Sequence, residues 1–147
     1  MVTCRDISID KQGCLEDITS LCYNTFKYDR FHRDPYIDQT LADHRYLRWL
    51  TELFSQNNVY FLRYQQNIVG FIAHLGSKLV LHALSESIRG LGFAKYFWAQ
   101  VSKQLFTDGF LEVGSSVSLT NLAVMNLYNS LEFRYRNPIE IYHRITK

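Results

Sequence analysis

Apolar residues recur every three or four positions in several stretches of this chain and every second position in others. Leu15, Ile18, Leu21, Cys22 and Thr25 predict a helix over Cys14 to Phe26. The stripe Leu41, Tyr46, Leu47, Trp49, Leu50, Leu53 and Phe54 predicts a second over Leu41 to Phe54. The strongest helical pattern, Phe93 to Phe106, repeats Ala94, Phe97, Val101 and Leu105, and Asp108-Gly109 stops it. A shorter helix is expected over Asn121 to Leu131, with Thr120-Asn121 as its start signal.

Strands are expected at Val2 to Ile9, at Val59 to Tyr64 and Ile68 to Leu75 as a hairpin around Gln65-Gln66-Asn67, and at Lys78 to Leu84. Further strands are expected at Phe110 to Val117, Phe133 to Arg136 and Ile139 to Ile145. Asp29 to Asp38 reads as a loop, with Asp34-Pro35 as a turn signal. The order β-α-α-β-β-β-α-β-α-β-β predicts an α/β sandwich. Its sheet is mixed and largely antiparallel, with helices on both faces.

At 147 residues, with no repeat or linker, the chain is expected to be one domain spanning residues 1–147. A net charge of +2 is too weak to suggest nucleic acid as a partner. Cys4, Cys14 and Cys22 lack metal-type spacing, and their odd number suggests reduced thiols. Arg5, Asp6 and Asp10 interrupt any signal-peptide run, and no stretch is apolar enough to span a membrane, so a cytoplasmic location is expected. No HxxxH, CxxC or GxSxG pattern occurs, so neither a metal nor a serine nucleophile is expected.

The candidate chemistry lies in Arg89-Gly90-Leu91-Gly92-Phe93-Ala94, between a strand and the strongest helix. Glycines let a ligand approach the backbone, and a helix N-terminus offers free N–H groups, so this segment suits an anion such as a cofactor pyrophosphate. A dinucleotide fingerprint does not fit, because Lys95 stands where its third glycine belongs.

Arg89, Gly92 and Ala94 match Arg/Gln-x-x-Gly-x-Gly/Ala, and with the order of elements this resembles the GNAT superfamily of N-acetyltransferases. Asn121 to Tyr128 resembles that family's Asn-x-x-Ala-x-x-x-Tyr helix, with the alanine one place early at Ala123. Leu91 stands where a basic residue is common, and Glu132 where glycine is common. Tyr28 to Pro35, with Ala42-Asp43 and Tyr46 to Trp49, is similar to members acting on nucleotide-linked amino sugars, such as TDP-fucosamine acetyltransferases.

The resemblance implies acetyl-CoA as cosubstrate, with no metal, and direct acetyl transfer to a primary amine within a ternary complex. On this reading the acceptor is a small molecule, a TDP-amino sugar used for cell-surface polysaccharide. Other acceptors are a protein N-terminus, a polyamine or an antibiotic, and a non-catalytic acyl-CoA-binding module is a separate alternative. Backbone groups of Arg89, Gly90, Leu91, Gly92, Phe93 and Ala94 would hold the pyrophosphate. The Leu84 amide would support the oxyanion, and Asn121 would lie by the cofactor arm while capping its helix. Tyr128 is the candidate general acid, against the alternative of a core aromatic. His82, on the same strand face as Leu84, is the candidate base; a water chain or a plain sheet histidine are the alternatives. Arg30 and His32 are candidate acceptor-binding residues. The apolar C-terminal strands offer an edge for a homodimer.

Overall fold

The computed structural model describes residues 6–23 and 25–144. Strand β1 (Ile7–Asp10) leads into a short helix α1 (Glu16–Thr19), a 3-10 turn (Ser20–Cys22) and a long helix α2 (Gln39–Ser55). Three strands follow: β2 (Val59–Tyr64), β3 (Asn67–Leu75) and β4 (Lys78–Leu84). A second 3-10 turn (Glu86–Ile88) precedes helix α3 (Phe93–Thr107), the short strand β5 (Gly114–Ser115) and helix α4 (Leu122–Ser130).

The sheet runs in the order β1-β2-β3-β4-β5. The first three pairings are antiparallel, and β4 with β5 is parallel. Alternation along the strands sends Phe61, Phe71, Ala73, Leu81 and Ala83 to one face, where they pack with Ile18, Cys22, Tyr46, Leu50 and Leu53 of the helical layer. Tyr60, Leu62 and Ile72 point the other way, onto Phe93, Phe97, Trp98 and Val101 of α3 and Tyr128 of α4. The expected sandwich, with helices on both faces of a mostly antiparallel sheet, is therefore observed.

At the β2–β3 turn, Gln65 and Gln66 both have positive φ, 48° and 71°. A two-residue hairpin favours this geometry, but glutamine adopts it at a cost of about 1–2 kcal/mol. Gln65→Asn combined with Gln66→Gly is expected to stabilise the fold by about 1 kcal/mol. Calorimetry should show a rise in Tm of about 2–4 °C.

Several expected elements differ. Residues 2–5 of the first expected strand, and Cys4, lie outside the described residues, as does the end of the last expected strand. The helix expected over 14–26 is only α1 and a 3-10 turn, because Tyr23 turns extended at φ −80°, ψ 132°. The strand expected over 110–117 shrinks to Gly114–Ser115. Gly109 turns left-handed at φ 100°, and Leu111 is 97% exposed, so no apolar face is presented to the sheet there.

Among the described residues, 133–144 carry no strand. Glu132 and Asn137 are left-handed, at φ 62° and 52°. Phe133 packs on Tyr128 at 4.9 Å, and Tyr135 Oη donates to Met125 O at 2.9 Å. These contacts draw the segment onto α4 rather than the sheet, so the strand edge expected to support a homodimer is not formed there.

Candidate active site

β4 and β5 pair only at Lys78↔Gly114 and Leu79↔Ser115. Beyond Leu79 the two segments carry no further register, and the rest of β4 presents an edge. Ser85 N–H bonds back to Val69 O on β3 at 2.8 Å. Successive residues alternate sides, so the Leu84 N–H faces the open edge. The Leu84 side chain itself is half-buried against the α3-side core.

The chain then turns through Arg89, Gly90, Leu91 and Gly92 into α3. Gly90 and Gly92 have φ of 73° and 84°, and a Cβ built at either would meet nothing within 4 Å. Their backbone conformation, not crowding, calls for glycine, and the space in front of them is open. Gly92 caps α3 without any side-chain acceptor, so the first-turn N–H groups remain available to an anion. Phe93 is buried edge-on to Tyr64 at 4.7 Å and anchors the helix start. Ala94 is half-buried, and Leu91 is exposed. Arg89 braces the turn: Nε donates to Leu84 O at 2.8 Å and Nη2 to Thr25 Oγ1 at 3.2 Å. The exposed end of β4, the open glycine backbone and the uncapped amides of α3 thus follow one another along the chain, an arrangement of backbone donors of the kind that suits an anion.

A cavity of about 140 Å³ lies where β4 and β5 part, lined by Trp49, Lys78, Leu79, Val80, His82, Ser115 and Ser116. Tyr128 lies behind this lining, bonded to Ser115. Its Oη donates to Ser115 Oγ at 2.6 Å, and Ser115 Oγ donates to Leu79 O at 2.9 Å. Burial raises the Tyr128 pKa, partly opposed by Ser115 and Trp98. The phenol is only 2% exposed and stays protonated at neutral pH.

His82 stands edge-on to Trp98 at 4.9 Å. Burial lowers its pKa to about 4, so it is neutral at pH 7. Trp98 Nε1 is buried beside His82 and Tyr128. Asn121 caps α4, its side chain accepting from Val124 N at 3.3 Å, as expected.

The 29–38 segment is a loop, as expected, built on Asp-centred turns. Asp29 accepts from Phe31 N at 2.9 Å, and Asp34 from Tyr36 N at 2.9 Å. His32 lies between two carboxylates, with Nδ1 2.6 Å from Asp29 and Nε2 2.9 Å from Asp43. Its side chain is 3% exposed, and both ring nitrogens are engaged. Arg30 lies over the Phe31 ring at 4.8 Å. Arg33 Nη1 reaches Thr120 Oγ1 at 2.6 Å, and Thr25 meets Arg89. Arg33 thus ties the loop to the segment just before α4, and Thr25, upstream of the loop, meets the glycine turn.

The sequence motifs do not single out Ser115 or Trp98, which the fold places beside Tyr128. Ser115 carries no local signal, since only the fold brings it to Tyr128.

No protein-family model matches the chain, and no curated protein matches it. Solved structures do. A putative acetyltransferase from Bacillus subtilis, YycN, superposes with a TM-score of 0.69 at 18% identity, covering 95% of this chain and 99% of that one. Aminoglycoside N-acetyltransferase AAC(6')-Iy, in complex with CoA, gives 0.64 at 17% identity, covering 95% and 93%. The aminoglycoside acetyltransferase meta-AAC0020 from an uncultured soil metagenomic sample gives 0.64 at 16% identity, covering 97% and 98%. The chain has the fold of these acetyltransferases.

Proposed function

We propose that this chain is an acetyl-CoA-dependent N-acetyltransferase acting on a primary amine of a small molecule. The observation that carries the reading is the free edge of β4 running into the open Arg89–Ala94 turn and the uncapped start of α3. Bound acetyl-CoA supplies an activated acetyl group. The first-turn amides of α3 neutralise pyrophosphate charge, each contributing about 0.3–1 kcal/mol. The Leu84 N–H points to where a thioester oxygen would gain negative charge. Tyr128, held protonated and aimed through Ser115, is the acid for the leaving thiolate.

His82 is a weak base at a pKa of about 4. It sits roughly four units below an α-amino-type acceptor, so it suits orienting a neutral amine or a water better than removing a proton from an ammonium. Activity should therefore rise with the acceptor's own deprotonation and show no step near pH 6.

Several solved neighbours are described as aminoglycoside acetyltransferases, and one was crystallised with a bisubstrate analogue, CoA-S-monomethyl-acetylneamine. Polyamino sugars are therefore the first acceptors to try. Arg30 and Arg33 on the loop favour the narrower reading, an amino sugar linked to a nucleoside diphosphate such as TDP.

A thiol-release assay over aminoglycosides, TDP-amino sugars, polyamines and N-terminal peptides, run beside calorimetric titration with CoA, tests this. CoA binding with turnover on one amine class is expected. Absence of CoA binding would overturn the whole reading, and binding without turnover on any amine would leave only a binding module. Gly92→Ala should raise the Kd for CoA about tenfold, because the left-handed turn costs alanine about 1–2 kcal/mol, while the open space spares the fold a clash.

A further inference from the structure

A second group of reactive side chains lies at the other end of α3. Helix α3 has 15 residues and so spans about 22 Å. Its last turn and the residue after it, through Gln104 and Asp108, line a cavity of about 360 Å³ with Ile9, Asp10, Lys11 and Tyr60. This cavity is separate from the glycine turn at the helix start.

Lys11 enters the cavity just past β1. Its Nζ donates to Asn57 O at 2.8 Å, lies 3.3 Å from His74 Nε2, and sits 4.8 Å from the centre of the Tyr60 ring. His74 Nδ1 is 3.0 Å from Gly76 O. A carbonyl only accepts, so Nδ1 carries the ring proton and the Nε2 lone pair faces the amine. His74 is 7% exposed and stacks on Tyr60 at 5.3 Å, which fixes its ring. An amine beside a proton acceptor, itself oriented by a third group, is the arrangement that activates a nucleophile.

Among the described residues, the acidic groups nearest this pair are Asp108 and Asp10. Asp108 accepts from Gln104 at 2.8 Å and from Tyr60 Oη at 3.5 Å. Asp10 is held by Arg63 at 2.6 Å. Burial lowers the pKa of both Lys11 and His74, with Asp108 opposing in each case. The Lys11 shift favours the neutral amine a nucleophile needs; the His74 shift keeps the Nε2 lone pair free but makes it a weaker base, which suffices for the strongly acidic proton of the amine once it has attacked.

We propose that Lys11 and His74 form an acyl-accepting dyad, a modification site at which Lys11 takes an acyl group from an acyl thioester. The neutral Nζ attacks the thioester carbonyl, the C–N bond forms and the C–S bond breaks. The amine proton passes to His74 Nε2 and then to the departing thiolate, leaving an N-acyl lysine and a free thiol. The product loses the ammonium charge, and with it the contact over Tyr60.

The test uses the whole chain and S-acetyl-N-acetylcysteamine, a short thioester that lacks the nucleotide, so the outcome does not depend on the glycine turn. Peptide mass spectrometry follows acetylation of Lys11 against the exposed α3 lysines Lys95 and Lys103. Lys11 is expected to react about fivefold faster or more, with the midpoint of its rate–pH curve below theirs. His74→Gln should slow Lys11 about tenfold and leave Lys95 unchanged. Equal rates, equal midpoints in the unaltered protein, or an unchanged rate in the folded variant would each overturn the proposal.

Discussion

Tyr128→Phe is expected to lower turnover about a hundredfold at saturating acetyl-CoA, while the Kd for CoA stays within about twofold. The substitution removes one hydroxyl from a buried ring. The ring still packs on Phe133 and the α3-side core, so the fold should lose only about 1 kcal/mol for the hydrogen bond to Ser115. What disappears is the only proton the ring can offer to a leaving thiolate.

Ser115→Ala provides a companion measurement. It keeps the phenol but removes the acceptor that aims it, so turnover should fall less than in Tyr128→Phe. Turnover of Tyr128→Phe close to that of the unaltered protein, on an acceptor that supports activity, would return Tyr128 to the role of a core aromatic.

The second large effect is on stability in acid. His82 titrates near 4 in the folded chain and near 6.5 when unfolded, because burial disfavours its charged form. The unfolded chain therefore binds the proton more tightly. Stability from this group is complete above about pH 6.5 and is lost as the pH falls towards 4. The loss amounts to about 3 kcal/mol, a large share of a typical domain's stability. His74 is lowered for the same reason and adds to the slope with the same sign. Urea titrations at a series of pH values should show the decline in the unaltered protein and a much flatter curve in His82→Gln. Equal slopes in the two would show that His82 is solvated in the folded state.

The parts legible in the sequence are those governed by local rules. Gly90 and Gly92 stand where positive φ is needed, and that need can be read from residue type. The α3 stripe and the Asn121 cap follow from spacing and short-range hydrogen bonds, and they appear at nearly the expected bounds. The strands expected after α4 do not form among the described residues because their apolar side chains have partners other than a sheet. Phe133 and Tyr135 settle on α4, a choice that alternation alone cannot reveal. The Tyr128–Ser115 bond joins residues 13 apart, and the His32–Asp43 contact residues 11 apart. No local pattern announces either. His32 reads as an acceptor-binding candidate in the sequence, yet its ring is enclosed by two carboxylates.

That enclosure bears on how an acceptor would be chosen. The loop is fastened at Thr25 to Arg89, through His32 to Asp29 and Asp43, at Arg33 to Thr120, and at Asp34 to His143. A segment tied at so many points has little conformational freedom left to surrender. Acceptors should then be sorted by fit to a surface already in place, and binding should carry a small ordering entropy.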